Sequence, residues 1–195
     1  MTSVRHGEYH EPVDSIFLQE QLRRTLTNCV VIDCETTGLD PAEDVLIEIA
    51  ALRVRNGCAV AVFHRMVSPS RPVPAVVTGL TGISEDDLQS GEDRAEAVRD
   101  LTGFLQDVPL VGHNIAFDLA FLRAACSHLA FDPPETLCTA DTARRLVPRS
   151  RVGRYRLSTL SQVFELAHRP THRAVHDVRA TLDLLRMLSV IPADD

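Results

Sequence analysis

Asp33 and Glu35 close an apolar, β-branched run, Val30-Val31-Ile32-Asp33-Cys34-Glu35. Residues i and i+2 of a strand share a face, so the two carboxylates project together, about 6 to 7 Å apart. Anions held that close repel each other unless cations lie between them. Asp118, His172 and Asp177 occur in segments that could bring them to the same surface. A lone acid at a strand end or in a first helical turn is usually a cap or a turn former. Four acids on the margins of buried faces are costly without cations or hydrogen bonds, and metal binding explains them better. The ligands are oxygens, so the metal should be hard, and two Mg²⁺ or Mn²⁺ ions about 3.5 to 4 Å apart form the clamp of phosphoryl transfer. Such a cluster reads as a two-metal nuclease centre. His172, in a loop just ahead of Asp177, is the candidate proton acceptor. His176 abuts Asp177, but helix neighbours diverge by about 100°, which favours His172.

Holding these groups requires an alternation of strands and helices. Strand one, about 29 to 34, is followed by the turn-like Thr37-Gly38-Leu39-Asp40-Pro41 and by two apolar stretches, Val45 to Arg55 and Ala59 to Val67. Asn56-Gly57 between the latter marks a hairpin, so the three strands should form an antiparallel meander. Pro-rich residues 69 to 74 predict a loop, and Ser84-Glu85-Asp86-Asp87-Leu88 a short capped helix. Val98, Leu101, Phe104 and Leu105 predict a helix, and Pro109-Leu110-Val111-Gly112 a buried strand. Ile115, Leu119, Leu122, Cys126 and Leu129 give one further helical stripe, and Val175, Val178, Leu182, Leu185 and Leu188 a last one. These registers put Asp118 and Asp177 beside the buried faces of their helices. Glu48, flanked by Ile47 and Ile49, reads as a structural hydrogen-bonding partner.

The 195 residues fit one α/β domain, residues 28–190, preceded by an extension, 1–27, with a short helix on Phe17, Leu18, Leu22 and Leu26, and followed by a tail, 191–195. The extension looks like an appendage. A formal charge of −7 excludes the global basic field of a duplex-coating protein, so nucleic-acid contact should be local. The basic residues are all arginine. Five scattered cysteines, Cys29, Cys34, Cys58, Cys126 and Cys138, fit buried free thiols in a reducing cytosol. With no signal-peptide core and no membrane-length apolar stretch, the expected location is cytoplasmic, with no membrane partner.

Three segments, Asp33-Cys34-Glu35-Thr36-Thr37-Gly38-Leu39, His113-Asn114-Ile115-Ala116-Phe117-Asp118 and His172-Arg173-Ala174-Val175-His176-Asp177, resemble in order the motifs of the DEDD-type 3′-to-5′ exonucleases of the histidine subclass. The epsilon proofreading subunit of bacterial DNA polymerase III is the best-known member. Ile47-Glu48-Ile49-Ala50, Thr81-Gly82-Ile83-Ser84 and Asp141-Thr142 extend the likeness over roughly residues 28 to 188. The resemblance implies a ribonuclease H-like fold, a five-stranded mixed sheet flanked by helices, and hydrolysis from a free 3′ end to nucleoside 5′-monophosphates. It implies that Asp33, Glu35, Asp118 and Asp177 bind two divalent cations, with Asp33 bridging, and that His172 takes the proton of the attacking water. It places Thr36 and Leu39 at the terminal nucleotide, Leu39 and Phe117 against bases, and His113 and Asn114 along the scissile strand. Ordinary packing for Phe117 and loop capping for His113 and Asn114 are the competing readings.

Arg144, Arg145, Arg149, Arg151, Arg154 and Arg156 form the chain's one basic stretch, either a loop that steers phosphates or a solvated loop with ion pairs. The leading expectation is an exonuclease on single-stranded or frayed DNA with a proofreading or repair role. RNA or short oligonucleotides are the alternative substrate, and a non-catalytic binding or assembly module is the remote alternative. A DNA polymerase or repair complex is the candidate partner. The chain lacks a tail like the one the epsilon subunit uses to hold its polymerase, which weakens a replisome assignment and leaves a standalone enzyme equally open.

Overall fold

The computed structural model describes residues 12–125, 131–133 and 135–191, with side chains from residue 16 onward. Cys126 and Leu129 of the predicted helical stripe lie outside the described residues, as does most of the predicted tail. A five-stranded sheet in the order β3-β2-β1-β4-β5 forms the centre: β1 (Asn28–Thr36), β2 (Leu46–Arg55), β3 (Cys58–Met66), β4 (Leu110–Gly112) and β5 (Thr136–Cys138). The first three strands are the predicted antiparallel meander, and β4 and β5 run parallel to β1. Asn56 and Gly57 turn the hairpin with φ of 48° and 75°, the left-handed values an Asn-Gly pair tolerates.

Strand β1 carries apolar side chains on both faces and is central for that reason. Cys29 and Val31 join one core cluster, beneath α1 (Pro12–Thr27), α6 (Thr139–Leu146), α8 (Leu157–Val163) and α9 (Ala174–Leu188). Val30, Ile32 and Cys34 join the other, beneath α4 (Arg94–Leu105) and α5 (Ile115–Ala125). Ile47, Val73, Ile83 and Leu88 make a small third cluster, under α2 (Ala75–Thr81) and α3 (Glu85–Leu88). Helix α3 has the capping box read from Ser84 and Asp87.

Three sequence expectations need correction, and two elements went unread. Helix α1 is no appendage: Leu18 and Leu22 are buried in the core shared with α9, because an apolar stripe at i and i+4 needs a surface to cover. The arginine stretch is a loop only in part, since Arg144 and Arg145 lie in α6 and Arg149 and Arg151 in a short α7 (Arg149–Val152), while Arg154 and Arg156 lie between α7 and α8. Cys29 and Cys34 are buried thiols, but Cys58, at the start of edge strand β3, is exposed. Helix α2 and strand β5 escaped the sequence reading because each is too short to show a period.

Candidate active site

The acidic centre forms where strand lengths mismatch. Val31 pairs with Val111, so β4 ends at Gly112 about level with Ile32, whereas β1 continues to Thr36. Asp33 and Glu35 thus stand beyond the end of β4, in the crevice at the carboxyl ends of parallel strands where β1 changes from a parallel to an antiparallel neighbour. Alternation along β1 turns them toward the α9 side, and α9 supplies Asp177 from its first turn. Asp118 enters from the first turn of α5 and is held by the backbone N–H and the thiol of Cys34. The loss of a β4 partner is what frees that N–H for a side chain. Asp118 is 4% exposed and Asp177 7%, as their helix registers predicted.

Burial raises every carboxyl of the centre, and neighbouring acids add to it at Asp33 and Glu35. Asp33 is pushed well above the usual range by burial and by Asp118, Asp177, Glu35 and Glu48. Burial, then Asp177, Glu48 and Asp118, push Glu35 up to about 8, against a lowering influence from Arg173. Asp118 rises to about 7 through burial, in spite of its Cys34 hydrogen bonds. Asp177 is raised by burial, opposed by hydrogen bonding and by the nearby His172 and His176. Four carboxyls that resist ionisation in company, in an all-oxygen set, match the needs of hard divalent cations. The donor chemistry fits.

His172 stands at the mouth. Ligand atoms of Glu35, His172 and Asp177 lie within 4.8 Å of one another, and the histidine is exposed. Its backbone is left-handed, φ 57°, a costly conformation for a histidine that the surrounding bonds impose. Asp177 Oδ1 accepts from the Thr171 N–H at 2.8 Å, which ties the loop to α9. His176 Nδ1 is 2.8 Å from Thr171 Oγ1, so the competing histidine braces the loop.

Glu48 organises the same corner. It is fully buried on β2, opposite Glu35, and accepts from the Ala174 N–H at 2.9 Å, from Arg173 Nε and Nη2 at 3.2 Å each, and meets His64 Nε2 at 2.8 Å. Helix α9 begins at Arg173 without a side-chain cap of its own, and Glu48 takes that part from across the sheet. Sequence reasoning recognised Glu48 as a structural partner but missed Arg173 and the Cys34 thiol. The signal for Arg173 was the absence of Ser, Thr, Asp or Asn at the start of α9, which left the helix in need of a distant acceptor.

The remaining expected contact residues fall into two kinds. Leu39 is 84% exposed on the loop after β1, a large apolar side chain open to a ligand. That loop is closed by Asp44, which accepts from Thr37 Oγ1 at 3.2 Å and from the Asp40 N–H at 3.0 Å. A Cβ on Gly38 would meet Asp44 Oδ2 at 2.3 Å, so a side chain there would push Asp44 out of the bonds that close the loop. Asn114 is exposed, with φ 67°, in the turn from β4 into α5. Thr36 is buried and donates to the Gly38 carbonyl. Phe117 is half-buried with its ring 4.8 Å from that of Phe121, in the α4–α5 core cluster. His113 is engaged on both nitrogens, Nδ1 3.0 Å from Thr139 Oγ1 and Nε2 3.0 Å from the Tyr155 carbonyl. The carbonyl can only accept, so Nε2 carries the proton, and burial holds the ring neutral with its pKa at about 4.

Known proteins resemble this chain in sequence and in fold. The chain is 37% identical over 161 residues to the PolC-type DNA polymerase III of Bacillus subtilis, covering 80% of this chain and 11% of that protein. It is 35% identical over 190 residues to a Mycobacterium tuberculosis protein (strain CDC 1551 / Oshkosh) with the provisional name bifunctional exonuclease/endonuclease, covering 93% of this chain and 28% of the relative. The chain thus spans under a third of the length of either. Exonuclease X in complex with 5′-overhanging duplex DNA superposes with a TM-score of 0.63 at 26% identity, covering 82% of this chain and 89% of that one. An Escherichia coli exonuclease I complex with single-stranded DNA, 20% identical over 83% of this chain and 40% of that one, shows the same fold at a TM-score of 0.71. The fold is ribonuclease H-like, as expected. No helix among the described residues is long and apolar enough to cross a membrane. The RNase_T exonuclease family model matches residues 30–185, from the first buried valine of β1 to the last turn of α9, so it encloses every carboxylate of the centre, and the chain belongs to this exonuclease family.

Proposed function

We propose that the chain hydrolyses single-stranded or frayed DNA from the 3′ end to nucleoside 5′-monophosphates, with His172 as general base. The observation that carries this reading is the cluster of Glu35, His172 and Asp177 within 4.8 Å, backed by the buried Asp118 and by Asp33. Asp33, Glu35, Asp118 and Asp177 would hold two divalent cations, Mg²⁺ or Mn²⁺. When bound, such ions lower the pKa of water and stabilise the charge that develops on the phosphoryl group. The exposed His172 removes the proton as a water oxygen attacks the terminal phosphorus. The bond from phosphorus to the 3′ oxygen of the preceding nucleotide breaks, that oxygen gains a proton, and the terminal nucleotide departs with its 5′ phosphate. Leu39, on the rim, and Thr36 and Phe117 would border the terminal base, while Asn114 follows the strand. Apolar contact suits any base and gives little sequence preference.

The test is degradation of 5′-labelled single-stranded DNA and of matched RNA with Mg²⁺ or Mn²⁺, by wild type, Asp33→Ala and His172→Ala. A metal-dependent ladder shortening from the 3′ end and lost in both variants is expected, with DNA cleaved faster. No ladder on either polymer in either metal would sink the reading, and faster loss of RNA would reassign the substrate.

A further inference from the structure

Residues 141–156 hold six arginines and one acid, Asp141, a formal +5 within a chain of −7, so the rest of the molecule carries −12. Tyr155 shapes this segment. Its hydroxyl donates to the Val147 carbonyl at 2.7 Å, and its ring lies under the Arg144 guanidinium at 5.8 Å. Gly153, φ 68°, donates its N–H to the Arg149 carbonyl at 2.7 Å, so the turn from α7 toward α8 is closed by its own backbone. The Tyr155 carbonyl accepts from His113, five residues before Asp118, and so fastens the basic segment to the turn that delivers a carboxylate to the centre. Arg144 is engaged by Asp141. Arg145, Arg149, Arg154 and Arg156 are exposed, and among the described residues no hydrogen bond or ion pair engages their guanidinium groups.

We infer that this segment is a phosphate-binding ridge that grips the single strand upstream of its 3′ end, with Arg145, Arg149, Arg154 and Arg156 as the contacts and His113 as the positioning residue that fixes the ridge to the centre. The inference rests on the nucleic-acid reading above. An acidic centre repels the strand it must cut, and a net-negative protein offers no general attraction. Exposed guanidinium forks on a closed scaffold supply local attraction without sequence preference. The account also gives the neutral His113 a use: with both nitrogens engaged, it anchors the ridge instead of touching substrate.

The deciding experiment compares wild type, R145Q/R149Q/R154Q/R156Q and an equal-charge control, R24Q/R55Q/R71Q/R94Q, whose sites are also exposed. Binding of a fluorescein-labelled thymidine oligonucleotide of about 20 nucleotides is read by anisotropy in EDTA, so nothing is cleaved and the result stands apart from whether the chain is a nuclease. Each phosphate contact on a single strand contributes about 0.7 to the slope of log affinity against log salt, so losing four should flatten it by about 2 to 3. Affinity at low salt should fall at least tenfold in the ridge variant and much less in the control. In Mg²⁺, the ridge variant should raise KM on the long strand while its rate on a dinucleotide stays within about twofold of wild type. Equal affinity and equal salt slope in the ridge variant and wild type would overturn the inference and leave an acidic protein segment as the alternative ligand. Equal losses in the two quadruple variants would overturn it too, by making the effect one of net charge.

Discussion

The acidic centre divides into an inner pair and an outer trio with different physics. Asp33 and Asp118 form the inner pair, which burial, and at Asp33 the charge of Asp118 and the other acids, hold above the usual carboxyl range while the Cys34 N–H and thiol fix Asp118. Glu35, His172 and Asp177 form the outer trio at the mouth, held by a loop that Asp177, His176 and Glu48 clasp from three directions. The inner groups are fixed by the sheet and by α5. The outer ones depend on how α9 begins. Destabilising charge is concentrated where a cation would compensate it, and the exposed histidine stands where the proposed mechanism takes a proton.

Removing an inner carboxylate should do the most damage to activity. Asp118→Ala is expected to lower kcat by about 10³-fold or more, the equivalent of several kcal/mol of lost charge stabilisation, in a 3′-end degradation assay. The same position should show the opposite effect on stability. Asp118→Asn relieves repulsion, so its metal-free melting temperature should exceed that of wild type, as calorimetry would show. The outer trio should respond differently. His172→Ala should cost roughly 10² to 10³-fold in kcat with KM little changed, and its exposed side chain should leave stability within about 0.5 kcal/mol. If His172→Ala and Asp118→Asn shifted melting alike, the division would fail.

Glu48→Gln probes what supports the trio. It keeps an acceptor for the Ala174 N–H but loses the charge facing Arg173, and the metal concentration for half-maximal rate should rise about 10 to 100-fold. An unchanged metal requirement would show that α9 starts correctly without that pair.

The smallest expected effect is on thermal stability across pH. Asp118 and Glu35 titrate near 7 and 8 in the folded, metal-free protein, and near 4 when unfolded. Between those values the folded state binds more protons, so their contribution favours folding at acidic pH and is lost as pH rises through about 8. Metal-free melting should fall by at least ~3 °C between pH 6 and pH 8.5, and Mg²⁺ or Mn²⁺ should restore more at pH 8.5 than at pH 6. Calorimetry showing the reverse slope would contradict the crowding of the four carboxyls.

Local chemistry made much of this legible. The run Val30 to Ile32 announced a buried central strand, Asn56-Gly57 a hairpin, and period two put Asp33 and Glu35 on one face. The apolar stripes of α5 and α9 fixed that Asp118 and Asp177 would be buried. Short elements were not legible, because the three residues of β5 and the four of α7 are too few for a period to repeat. Nor was the fate of α1, whose modest stripe became core only because α9 and the sheet offer it a complementary surface.

The sequence by itself determined the chemical inventory, four hard oxygen donors and a histidine, and the faces from which they project, since both follow from residue type and backbone period. Only the tertiary structure decided how they meet. The early end of β4 frees the Cys34 N–H for Asp118, Glu48 caps a helix 126 residues further along the chain, and His113 finds the Tyr155 carbonyl 42 residues away. Each of these depends on where a strand stops or which backbone group lacks a neighbour, and such vacancies arise only when distant segments pack.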